Sequence, residues 1–477
     1  MESLLDITIC SGLGLHINKK SINKAIKSIP SKCFGVFVTV KRSKYQRLKQ
    51  WPEEIHGCIG DWSHNYKEMS KKKLFDTIQS VSYKATNIDE RKKYFGSIYR
   101  DSHTEFEISF MMQPVYTVDV YTGILNTGKK FNNKDFGLIV VGENGTRATY
   151  LQDVFKNTSW NHIRDSLVKK AGSTRGVKFY AYKTILFTKE IYKIFNKEYL
   201  ELYYSGFYTF FNMSYSNFVP YLLDSKNKIH IDKSQNVRNI ATIYDLLHFK
   251  SHLRSQVLKN IISNLTYYTD KFHDNMEDMR QGSAFLLLAL HKLKLYPKDR
   301  KKICKYLYDS IPYLEKQFEL GEVLIALNTS CPDKKILLRE QRNMYNSLLK
   351  NVSVRINNIF EYNWHAKFLY SLYKQKITKN CYNSYVFQHV QELIRRILHI
   401  LPKINEQSET NYLAVAFEAL QSLLPLACNK KDKIEIQDSI IHLFYMLGKR
   451  YKNGLFYFNN NTARLDISGH VINGLII

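Results

Sequence analysis

One pattern, small-x-x-apolar-x-small-Leu, recurs five times in the second half of this 477-residue chain and limits what that half can fold into. It stands at Ala284/Leu287/Ala289/Leu290, Gly321/Leu324/Ala326/Leu327, Ala366/Leu369/Ser371/Leu372, Ala414/Phe417/Ala419/Leu420 and Gly469/Ile472/Gly474/Leu475. Ser371 takes the place of the second small residue. The first positions lie 37, 45, 48 and 55 residues apart, each enough for one helical hairpin. Small residues at i and i+5, with bulky ones at i+3 and i+6, make a helix face that a neighbouring backbone approaches closely. The stretches Lys301–Leu314, Gln388–Leu401 and Lys433–Gly448 supply second helices between copies. A drifting period of this size predicts stacked helical hairpins, open as a solenoid or closed as an α/α toroid. The last copy runs to the end of the sequence without a capping helix, which favours the ring.

Three residues before each first small position stand Gln281, Phe318, Asn363, Asn411 and Asp466. Such polar residues at a helix entrance cap free N–H groups. In a toroid they would instead converge on a central pocket, joined by His365, Glu418, Arg464 and His470. Acid, amide and imidazole together suit a polar ligand, sugar or peptide-like.

The first half reads differently. Short apolar or alternating runs at Cys33–Val40, Phe106–Met111, Gly137–Val141 and Lys178–Phe187 predict strands, and Gly142-Glu143-Asn144-Gly145 predicts a hairpin. Helical stretches lie at Lys19–Ile29, Leu74–Thr86 and Trp160–Ala171. Strands and helices without βαβ alternation predict an α+β domain over 1–195, followed by an all-α helical-repeat domain over 196–477.

A formal net charge of +27 is compatible with nucleic acid as a partner through a basic surface. The basic runs are short and scattered, however, and an AT-rich coding bias inflates Lys on its own. Seven Cys, an odd number without a CxxC pair, argue against a disulfide framework and the common zinc patterns and fit a reducing compartment. No metal or cofactor motif is present. The N-terminus lacks a basic signal-peptide region. The longest uncharged stretch, 202–223, carries too many Asn and Ser to suit a membrane. A cytoplasmic protein without membrane contact is expected.

The segment Ile55-His56-Gly57-Cys58-Ile59-Gly60 places a thiol between glycines that let the backbone turn and a ligand approach. In an extended stretch His56 and Cys58 share a face, so His56 could assist a thiolate nucleophile. The alternative is a small buried hydrophobe.

These blocks resemble the AMMECR domain family over about residues 15–190. FGVFVTV at 34–40 is similar to the family's opening strand, and IHGCIG at 55–60 to its LRGCIG hallmark. Asp89, Arg91 and Phe95-Gly96-Ser97-Ile98 follow, then Glu107-Ile108-Ser109-Phe110 with Pro114. Asp135–Val140, Tyr150–Val154, Trp160 and Lys169-Lys170-Ala171-Gly172 complete the order. The resemblance implies an α+β fold with a cleft at the hallmark and assigns no reaction. His56 stands where the hallmark has Arg, which removes a natural anion clamp.

Three functions follow as expectations. The first is a binding or adaptor protein with a helical recognition domain. The second is an enzyme on a polar substrate, using the Cys58 cleft or the toroid pocket with Asp466, Glu418 or His470 as acid or base. The third is nucleic-acid association.

Overall fold

The computed structural model describes the chain apart from residues 1, 18, 42–54, 92–103, 156–157, 174–175, 195–201, 207, 209–221, 225–227, 231–235, 249–252, 352, 378–384, 406, 453 and 459–461. The Phe95–Ile98 block and most of the 202–223 stretch therefore lie outside the described residues. The chain divides into two compact units, Met1–Ile194 and Phe195–Ile477.

The first unit is α+β. Its elements are α1 (Glu2–Leu13), α2 (Lys19–Ser28), β1 (Cys33–Lys41), β2 (Ile55–Trp62), α3 (Lys71–Asn87), β3 (Glu105–Val118), β4 (Gly137–Val141), β5 (Arg147–Tyr150), α4 (Trp160–Ala171) and β6 (Lys178–Glu190). The strands form one antiparallel sheet in the order β2-β1-β3-β6-β4-β5. The β4–β5 turn is the Gly142–Gly145 segment, closed by the Gly142 N–H on the Thr146 carbonyl at 2.9 Å, with Gly145 at φ 73°. Helix α3 packs on β1 and β2, α1 packs on β3 and β6, and α4 packs on β4 and β5. Helix α1 has no amphipathic period to predict it, because almost every residue from Ser3 to Leu13 is buried.

The second unit is helical apart from two-residue strand pairs. Inner helices are α5 (Asn236–Leu246), α7 (Arg280–Leu293), α9 (Gln317–Ser330), α11 (Asn358–Lys374), α13 (Thr410–Leu423) and α15 (Leu465–Ile476). Between them run α6 (Ser255–Asp274), α8 (Pro297–Ser310), α10 (Lys334–Lys350), α12 (Tyr385–Ile400) and α14 (Lys430–Arg450). The two sets differ as physics requires. Helix α6 buries one stripe, Val257, Ile261, Leu265, Tyr268 and Phe272, whereas α13 buries every residue from Leu413 to Leu420. All five copies of the repeat fall on inner helices.

Each inner helix packs on the next, and α15 packs back on α5, so the six make a closed circuit. The small residues sit at these contacts. A Cβ on Gly321 would come within 2.7 Å of Trp364 on α11, and one on Gly474 within 2.7 Å of the Phe417 ring on α13. A Cβ on Gly469 would collide with Asp245 Oδ2, at the seam where α15 meets α5. Helix α5 carries no copy of the repeat, which is why the sequence shows five inner helices and not six.

Among the described residues one disulfide, Cys304–Cys331, ties α8 to the end of α9, and Cys10, Cys33, Cys58 and Cys428 are in no disulfide. The odd count of cysteines concealed this single staple. Among the described residues no helix is long and apolar enough to cross a membrane.

Candidate functional site

The positions four residues after each first small residue are Leu288, Ile325, Tyr370, Glu418 and Asn473, and all five line one cavity of about 230 Å³. One turn before them, Phe285, Glu322 and Lys367 line it too. One turn after, Thr329, Lys374, Ser422 and Ile477 do so. Tyr244 and His248 complete the wall from α5 and the turn that follows it. Every inner helix thus contributes, from its middle and C-terminal turns.

Glu418 lies at the centre of this cluster, with no solvent exposure. Its Oε1 accepts from Lys367 Nζ at 2.7 Å, and its Oε2 accepts from Asn363 Nδ2 at 2.7 Å and His470 Nδ1 at 2.7 Å. Burial alone would raise its pKa, but Lys367 and His470 reverse that and hold it down at about 2. Lys367 also lies 4.5 Å over the Trp364 ring. Glu322 is the opposite case. It is buried, its Oε2 has no hydrogen-bond partner among the described residues, and desolvation pushes its pKa up to about 8 against the pull of Lys367. One wall therefore holds an ionised carboxylate and another a protonated one.

A third buried acid, Asp245, accepts from Asn473 Nδ2 at 2.9 Å, and burial raises it to about 6. Beside it, Lys292 Nζ donates to His248 Nδ1 at 2.8 Å. Burial, with Lys292, Lys367 and Lys374 nearby, lowers His248 to about 3, so its ring is neutral.

The polar residues expected at helix entrances share the stripe of the cavity but stand one to two turns short of it. They do not line it. None is an N-cap: the capping positions are Met279, Lys316, Asn357, Glu409 and Arg464, and none makes a side-chain capping bond. Asn363 reaches Glu418 from six positions into α11. Asp466 is bound by Arg464 and faces Arg238 of α5 at 3.7 Å, so this pair belongs to the ring seam. Asn411 Oδ1 is buried without a partner among the described residues. The side chain of Gln281 lies outside the described residues. His365 turns away from the cavity towards α12, where its Nδ1 meets His389 Nε2 at 2.9 Å and Gln341 Nε2 holds His389 Nδ1 at 3.1 Å. Burial lowers His365 to about 3 and holds His389 well below the usual imidazole range, so both are neutral.

In the first unit, register places Cys58 opposite Thr39, and Thr39 opposite Glu107. Thr39 Oγ1 donates to Cys58 Sγ at 3.2 Å, and the Cys58 N–H donates to Asp89 Oδ2 at 3.0 Å. Arg91 grips Asp89 through Nε at 2.9 Å and Nη2 at 2.7 Å. Against the cost of burial, these donors keep the Asp89 carboxyl below its ordinary range. The glycines close the turn sterically: a Cβ on Gly57 would collide with the Ala85 carbonyl of α3, and one on Gly60 with the Phe37 ring.

His56 does not stand beside the thiol. The pairing slips between Val40 and Lys41, opposite Gly57 and Ile55, and the His56 ring faces the Thr86 carbonyl at 3.3 Å. Burial raises the Cys58 thiol's pKa, outweighing Thr39 and Arg91. Burial therefore favours the protonated form of the thiol.

Sequence reasoning missed Lys367, Lys374, Lys292, His248 and Asp245. For the first three a signal existed: extending the stripe C-terminally from each small residue by 1, 4 and 8 positions reaches them. His248 and Asp245 follow no repeat and carry no such signal.

The AMMECR1 family model matches residues 11–192 of this chain, within the first unit, in agreement with the resemblance read from its ordered blocks. No curated protein and no solved structure matches the chain.

Proposed function

We propose that the helical unit is an α/α toroid whose function is to bind a small molecule at its centre, in a chain whose AMMECR-type unit uses Cys58 structurally. The observation that carries this reading is convergence: six helices spread over more than 200 residues of sequence send side chains into one cavity. An adaptor reading needs an open array with a long concave wall, and the return of α15 to α5 supports the pocket reading over it. Binding is favoured over turnover because Glu418 is saturated by three donors and so poorly placed to accept a further proton. Among the described lining residues, no nucleophile is hydrogen-bonded to a free base.

Ile325 lines the cavity and is only half-buried, so Ile325→Trp would fill the space without displacing a core side chain. A fragment library screened by ligand-observed NMR against the full chain should yield binders that Ile325→Trp abolishes. Binders indifferent to that substitution, or no binders at all, would sink the reading.

A further inference from the structure

We propose that the ligand of this cavity is a small organic anion with a flat apolar body, its negative group held by Lys374 and by His248, which Lys292 backs from behind the lining, and a hydrogen bond supplied to it by the Glu322 carboxyl. The inference rests on the pocket reading above and adds the chemistry of the occupant.

The charges facing the cavity do not balance. Lys367 is matched by Glu418 at 2.7 Å. Behind the lining, Lys292 has no carboxylate partner: its Nζ donates to the neutral His248 ring, which does face the cavity, at 2.8 Å and lies over the Tyr244 ring at 5.1 Å, although burial lowers its pKa to about 8. Asp245 lies near enough to favour its charge, yet the carboxylate bonds Asn473 and makes no ion pair with the ammonium. Lys374 has only the Tyr370 ring, at 5.8 Å. No carboxylate lies within ion-pair distance of Lys292 or Lys374 among the described residues. A partly buried ammonium with a neutral partner is costly, and an anion relieves it.

Helix ends offer a competing account, because Lys292 and Lys374 lie in the last turns of α7 and α11, where cations meet the helix dipole. Those ends are already closed by backbone. The Leu290 and His291 carbonyls accept from the N–H groups of Leu295 and Lys294, and the Ser371, Leu372 and Tyr373 carbonyls accept from Gln375, Ile377 and Lys376. Lys292 has turned to His248 instead of to a carbonyl.

The neutral groups fit the same occupant. With Nδ1 accepting from Lys292, the His248 ring carries its proton on Nε2 and becomes a further donor. A charged Glu322 would repel an anion. A carboxyl whose buried Oε2 has no donor or cation on it keeps its proton, and then donates. Phe285 and Trp364, ring centroids 5.9 Å apart, provide an aromatic wall for the body.

The test uses the full chain and three probes of one shape: 2-naphthoate, 2-naphthamide and 2-naphthylmethylammonium, measured by titration calorimetry. The carboxylate should bind about tenfold more tightly than the amide, and the ammonium more weakly than both. Exposed Lys374 can be changed without disturbing the core, and Lys374→Gln should weaken naphthoate about fivefold while leaving naphthamide within about twofold. Glu322→Gln, which keeps a donor, should retain naphthoate, and Glu322→Ala should not. An ammonium binding as well as the carboxylate, or a Lys374→Gln effect equal on acid and amide, overturns the anion assignment. If the amide or ammonium binds and Ile325→Trp abolishes it, the pocket reading stands while this inference falls. If no probe binds, or Ile325→Trp changes nothing, both fall.

Discussion

Around Cys58, the first unit directs its charges at the backbone: Arg91 holds Asp89, and Asp89 holds the Cys58 N–H. Around Glu418, the second unit directs three side-chain donors at one carboxylate and leaves a second carboxyl, Glu322, with an unpartnered oxygen. Both centres are buried and polar, but they differ in what remains unsatisfied. At the Cys58 turn the groups nearest the thiol, Thr39, Asp89 and Arg91, are hydrogen-bonded to Cys58 or to one another, and burial raises the thiol's pKa. The helical centre retains one buried carboxyl oxygen without a partner, a partly buried ammonium, Lys292, without a carboxylate behind its lining, and the exposed Lys374 at its edge. Unsatisfied buried polarity, more than a reactive residue type, marks the better candidate site.

The largest test of this contrast is deletion of each central side chain. Glu418→Ala strips the counter-charge from Lys367 and the acceptor from Asn363 and His470, and should cost the helical unit about 3–5 kcal/mol. Cys58→Ala should cost the first unit about 1 kcal/mol. Hydrogen exchange resolved to α13 and β2 measures both, and a reversed order breaks the comparison.

Reduction should separate the units next. Opening Cys304–Cys331, which closes a segment of 27 residues, should destabilise the helical unit by about 3–4 kcal/mol. The first unit has no disulfide among its described residues, Cys10, Cys33 and Cys58 being unbridged, and should be unchanged by reductant. Denaturation of each unit with and without dithiothreitol checks this.

Overpacking is expected to hit both units alike. Gly469→Ala drives a methyl into Asp245 at the α15–α5 seam, and Gly57→Ala drives one into α3. Each should cost about 1–3 kcal/mol, read as lost exchange protection in the elements named. A harmless Gly469→Ala would mean that the ring tolerates an open seam.

The pH dependence sharpens the contrast further. His365 and His389 are depressed when folded, so their contribution is complete above the unfolded value of about 6.5 and is lost as pH falls, for His365 towards about 3. Glu418, depressed to about 2, adds an acid loss beginning near pH 4.5. Asp245 and Glu322 are raised, so their contribution is present below the usual carboxylate range and is lost as pH rises through about 6 and about 8. Chemical denaturation across pH should show both limbs for the helical unit, and Glu322→Gln should flatten the alkaline one.

The smallest effect concerns the thiol. With its pKa raised by burial, Cys58 should react with iodoacetamide at pH 8 more slowly than a cysteine in an unfolded peptide. Faster alkylation would restore the nucleophile reading.

Local pattern determined a good deal by itself. The strands at 33–41 and 137–141, the Gly142–Gly145 hairpin, the ordered blocks of the first unit and the inner helices that carry the repeat were all legible, because each depends on neighbours within a few residues. The face of the inner helices that looks inward was legible as well, since a 3.6-residue period ties Asn363, Lys367, Tyr370 and Lys374 to one stripe. Its depth was not. Periodicity says which way a side chain points around the helix axis and nothing about height along it. Height is set by how far neighbouring helices slide past one another, and that put the cavity at the middle and C-terminal turns instead of the entrances. Tertiary structure alone decided the rest: the sixth helix α5 that closes the circuit, the partnership of Glu418 with Lys367 across 51 residues, and the strand slip that parts His56 from Cys58. Each joins groups whose sequence separation no local propensity spans, and the free energy that fixes them comes from burying distant partners together.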